Sequence, residues 1–112
     1  MKLHTDYKII NITNKDLKLK DEFTIKVKIL TYKENLSIIE AFEGEDNSIK
    51  MLEVAKQIFV NSVIDWVNIT DMEDKPLECS TENKSLVFDF DPEFCNKIIT
   101  FATSKVQEDK KK

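Results

Sequence analysis

The sequence predicts an α+β fold, an N-terminal β-hairpin or small antiparallel sheet followed by a bundle of about four helices. Phe23, Ile25, Val27 and Ile29 alternate with Thr24, Lys26 and Lys28, the pattern of a strand with one buried and one wet face. Further along, apolar residues recur at helical spacing behind recognisable helix-start signals. The chain has 112 residues, enough for one modest core and too few for two. We therefore expect a single domain over residues 1–106 and a charged, disordered tail over 107–112.

Tyr7 to Thr13 is apolar and β-branched enough for a first strand, although the adjacent Ile9 and Ile10 blur its alternation. Asn14, Lys15 and Asp16 read as a turn, and Leu17 to Lys20 either extends this hairpin or leads into the second strand at Phe23. Thr31 and Glu34 match a capping box, so a helix is expected from about Tyr32 to Glu43, with Leu36, Ile39 and Phe42 on its apolar stripe. Gly44, the only glycine, follows where a left-handed cap is needed. Asn47 or Ser48 can cap the next helix, expected over Ile49 to Trp66. On it Leu52, Ala55, Phe59, Ser62 and Trp66 form one row, widened by Met51, Val54, Ile58 and Val63. So broad an arc makes this either the central core helix or a helix that shares its surface with a partner.

Asp71 to Pro76 is a turn by composition, with Pro76 disfavouring helix at Lys75. Ser80 or Thr81 starts a short helix to about Phe88. Asp91-Pro92-Glu93 then sets an N-cap, a proline at the first helical position and an acid at the positive end of the dipole. The last helix is expected to run to about Val106, with Phe94, Cys95, Ile98, Ile99 and Ala102 on its core face.

Composition narrows the chemistry. The net charge is −4, and all 17 basic residues are lysine. An acidic chain without the forked guanidinium donor is a poor nucleic-acid reader, although an AT-rich coding sequence accounts for the same bias. No apolar run reaches membrane-spanning length, and MKLHTDYKIIN lacks the layout of a secretory signal. A cytoplasmic protein is expected, with Cys79 and Cys95 as buried thiols, a disulfide between them being geometrically allowed.

The acidic turn fails as a calcium loop begun at Asp71, because Lys75 falls where an oxygen ligand is needed and Pro76 where the sharp bend needs glycine. Two cysteines and one remote His4 do not make a zinc site or an oriented nucleophile pair. A single glycine leaves no phosphate cradle. The residues therefore point away from an enzyme, a metal or a cofactor and toward a protein that binds other proteins, with homo-oligomerisation open.

One stretch carries a family resemblance. Val63-Ile64-Asp65-Trp66, then Asp71, Lys75-Pro76-Leu77, Ser80-Thr81-Glu82-Asn83-Lys84, Asp89 and Asp91-Pro92-Glu93, with VKILTYKE upstream at Val27 to Glu34, resembles tail assembly chaperone-type proteins of tailed bacteriophages and prophages. Asp74 stands where those proteins usually have a turn glycine, and Glu82 follows Thr81 without the usual spacer. The resemblance implies a protein of the bacterial cytoplasm that binds the long helical tape-measure protein and keeps it soluble before the tail tube polymerises. Helix-in-groove binding at Ile58, Phe59, Val63 and Trp66 is the contact it suggests, with core packing as the alternative role of those residues. A small head-tail or tail-completion protein retained in the particle is the other phage role considered.

Overall fold

A computed structural model describes residues 8–110. The fold is α+β, in the order β1 (Ile9–Thr13), β2 (Thr24–Lys28), α1 (Tyr32–Ala41), α2 (Asn47–Ser62), β3 (Val63–Val67), α3 (Thr81–Phe90) and α4 (Pro92–Lys110). The three strands form one antiparallel sheet in the order β1-β2-β3.

In β1 the adjacent isoleucines separate by face. Ile12 is buried and Ile10 partly so, while Ile9 points to solvent. Tyr7, expected to open this strand, lies outside the described residues. Leu17 to Lys20 belongs to the loop between the strands, tied back by the Leu19 amide donating to the Asn14 carbonyl at 2.9 Å. Phe23, just before β2, and Ile25 and Val27 within it turn inward as their alternation requires.

The third strand departs from the sequence reading. Helix α2 ends at Ser62 rather than at Trp66, and Val63 to Val67 pairs with β2. Ile25 faces Trp66 and Lys26 faces Asp65, but Val27 faces Val63, which leaves Ile64 as the extra residue of a β-bulge. In an unbroken strand, residues three apart point to opposite sides of the sheet. The bulge turns both Val63 and Trp66 into the core, so a strand acquires the three-residue spacing of a helix. That coincidence extended the expected helix by four residues.

The helix-to-strand transition has a specific anchor. Lys84 of α3 donates from Nζ to the carbonyl oxygens of Val60, at 2.8 Å, and Val63, at 2.9 Å. A cation at the end of α2 satisfies carbonyls that the terminated helix leaves open and complements the negative end of its dipole.

Of the other helix ends, α1 stops at Ala41 with Phe42 as its cap, two residues short of the expected Glu43, and the rest lie within a few residues of their expected places. Thr31 and Glu34 form the reciprocal capping box, and Gly44 takes a φ of 92°. The cap of α2 is Asp46, ahead of the expected Asn47 or Ser48, and its carboxylate accepts from the Ser48 amide at 3.0 Å and hydroxyl at 2.9 Å. These bonds, the hydroxyl's first, hold the Asp46 carboxyl below its ordinary value. Ser80 caps α3, which runs two residues past its expected end to Phe90, and Asp91 accepts from the Phe94 amide at 3.1 Å at the start of α4. Helix α4 continues to Lys110, beyond the expected end at Val106, so residues 107–110 of the expected disordered tail are helical, and 111–112 lie outside the described residues.

The core lies between the sheet and the later helices. Ile12, Ile25, Val27, Val63 and Trp66 meet Phe59 of α2, Phe88 of α3, and Cys95, Ile98 and Ala102 of α4. Phe59 and Phe88 pack as a tilted pair with ring centres 6.4 Å apart. Trp66 satisfies its indole N–H by donating to the Leu77 carbonyl at 2.7 Å, which fixes the segment after β3 against the sheet.

Candidate protein-docking groove

The residues that the sequence and the resemblance suggested for partner binding are not a surface. Phe59 and Val63 are each 1% exposed and Trp66 is 7% exposed, and all three belong to the core cluster. Ile58 is half-buried. Val63 and Trp66 also leave the helical row, because they sit on β3. The role of Phe59, Val63 and Trp66 in this fold is packing.

Most exposed large apolar residues fall in two regions, Tyr32, Leu36, Ile39, Ile49, Met51 and Leu52 on α1 and the start of α2, and Leu19, Met72, Leu86 and Phe90 around a groove. The groove, of about 880 Å³, opens where the β1–β2 loop, the segment after β3 and the α3–α4 junction converge. Its floor is Phe23, Ile69, Leu77, Val87 and Phe94, with Phe23 and Phe94 packed edge to face at 5.6 Å. Its rim carries Leu19, Met72, Leu86 and Phe90. Met72 is 96% exposed and Phe90 74% exposed, large apolar groups that water solvates poorly.

Each rim position has a local cause. In the turn that displays Met72, the Asp71 carboxylate accepts from the amides of Glu73, at 2.8 Å, and Lys75, at 3.0 Å, while the Asp71 amide donates to the Lys75 carbonyl at 2.9 Å. Asp74 closes this turn with a φ of 61°, the left-handed region that glycine occupies most easily. A bridge between Thr70 and Pro76 clamps its base. Phe90 projects from the last residue of α3, where Asp91 ends one helix and caps the next. Both exposed apolar residues lie between acids, in Asp71-Met72-Glu73 and Asp89-Phe90-Asp91. That repeated arrangement is the sequence signal that could have located the rim, since an apolar side chain between two solvated carboxylates is poorly placed for a core.

Four carboxylates, Asp21, Asp71, Glu73 and Asp91, surround the groove against the single ammonium of Lys20. The groove is therefore apolar at its floor and acidic at its edge. The thiols lie outside it. Burial raises the Cys79 thiol, and burial followed by the nearby Asp91 carboxylate pushes Cys95 up to about 12. Both cysteines are free thiols, protonated at neutral pH and poor nucleophiles.

Among the described residues no cluster of three or more His, Cys, Asp or Glu side chains could hold a metal ion. No helix among them is long and apolar enough to cross a membrane. No protein-family model, curated protein or solved structure matches the chain.

Proposed function

We propose that this protein is a chaperone-like binding module that shields an apolar segment of another protein, acting as a tail assembly chaperone for a phage tape-measure protein in the cytoplasm of the bacterial host. The observation that carries the reading is the convergence of Met72, Leu86 and Phe90, all exposed, on one groove with an apolar floor. A folded chain that leaves such side chains in water gains most by covering them with a partner. The resemblance supplies the identity of that partner. A groove is also the form of surface that receives one stripe of a long helical chain, whose apolar face aggregates if left bare.

The test is co-expression with a phage tape-measure protein. The wild-type chain keeps that protein soluble and is absent from purified particles, whereas Phe90→Asp leaves it insoluble. A tape-measure protein equally soluble without this chain, or a chain that remains in finished virions, contradicts the proposal.

A further inference from the structure

The charge distribution of the groove specifies its ligand more narrowly. We infer that the groove receives a cationic amphipathic helix, one that sets apolar side chains against Phe90 and the floor while Lys or Arg residues on its flanks meet the acidic rim. This inference rests on the binding function proposed above.

No residue of the three strands lines the groove, so an occupant finds no sheet edge there to extend. Strand addition therefore gains nothing there and affinity must come from side chains, the mode in which an amphipathic helix lays one face in a groove. The rim carboxylates come from three separate stretches, Asp21 from the β1–β2 loop, Asp71 and Glu73 from the turn after β3, and Asp91 from the α3–α4 junction, so negative charge faces the groove from several sides.

These carboxylates differ in what they already do. Asp71 and Asp91 accept backbone amide bonds that hold their turn and helix cap. Glu73 has only an exposed pairing with Lys75 at 3.4 Å, and Asp21 makes no hydrogen bond or ion pair among the described residues. Asp21 and Glu73 are thus the groups a cationic ligand can engage without dismantling the groove. An acidic helix meets repulsion at the same positions, so the rim selects by rejection as well as by attraction.

Two fluorescein-labelled synthetic helical peptides with the same apolar face, one flanked by lysines and one by glutamates, test this by anisotropy against the full chain at low and high salt. The lysine peptide is expected to bind roughly tenfold or more tighter at low salt, with the difference shrinking as salt rises. Asp21→Lys with Glu73→Lys abolishes the preference, and Phe90→Ala weakens binding through the lost apolar contact, while unchanged Trp66 fluorescence and circular dichroism show that both variants are folded. Equal binding of the two peptides, or a lysine peptide indifferent to Phe90→Ala, overturns the inference. So does concentration-dependent self-association abolished by Phe90→Asp, because a second copy then fills the groove. If the chain solubilises a tape-measure protein but fails to discriminate between the peptides, this inference alone falls; if it discriminates but does not solubilise, the chaperone proposal falls.

Discussion

The two ends of α2 lie in different physical environments. Toward its C-terminus, Phe59, Val60 and Ser62 are buried, Phe59 in the same core as the sheet, α3 and α4. Toward its N-terminus, Ile49, Met51 and Leu52 are exposed, and the preceding α1 has no buried residue at all. Both ends are helical, but one is held by burial and the other by local signals such as the Thr31–Glu34 capping box, the Asp46 cap and the turn at Gly44. Caps stabilise by about 1 kcal/mol each, whereas burial of one large apolar side chain contributes more. Helix α1 and the start of α2 are accordingly the part of the fold that should open at lowest free energy.

Truncating core residues breaks this comparison most severely. Phe59→Ala should destabilise by about 3–5 kcal/mol and Ile98→Ala by about 2–5 kcal/mol in urea melts followed by Trp66 fluorescence, because fully enclosed side chains leave cavities. Leu36→Ala and Leu52→Ala, on the exposed end, should cost about 0.5 kcal/mol or less. Comparable losses at all four positions would mean that α1 and the start of α2 contribute to the core after all.

Lys84 tests the boundary between the two regimes. Lys84→Met preserves much of the side-chain bulk but removes the donor to Val60 and Val63, and should cost about 1–3 kcal/mol. The loss should be visible as faster amide exchange at the α2–β3 junction. If Lys84→Met unfolds at the wild-type urea midpoint, the junction is held by packing alone.

An effect of pH falls on the core side. Cys95 has a folded-state pKa of about 12 against an ordinary 9.0, so the folded chain holds the thiol proton more tightly than the unfolded chain. Its contribution to stability is complete below pH 9.0 and is lost as pH rises toward about 12. Melts across that range should show a decline that Cys95→Ala flattens, on top of the constant cost of its cavity. The smallest change is Asp74→Gly, which relieves a left-handed backbone and should leave stability equal or raise it by about 0.5–1 kcal/mol, whereas Asp74→Ala should lower it.

The two regions also differ in how openly they are written in the sequence. Local signals were legible: the alternation of Phe23, Ile25 and Val27, the Thr31 capping box, and Asp91 before Pro92 each formed the expected structure, and Gly44 took its left-handed φ although α1 ends two residues earlier than expected. What escaped depends on contacts between distant residues. The bulge at Ile64 gave strand β3 a helical spacing, and the lysine that ends α2 lies 24 residues beyond Val60. The docking groove escaped for the same reason, since Asp21, Met72 and Phe90 meet only after the sheet and last two helices have assembled.

The most direct test of the binding account is an amide and methyl NMR titration of the full chain with the lysine-flanked helical peptide. The account predicts that shift changes concentrate at Leu19, Met72, Leu86 and Phe90 and leave Leu36, Ile39 and Leu52 unmoved. Changes centred on α1 and the start of α2, with the groove silent, would place the docking surface at the other end of the molecule and contradict it.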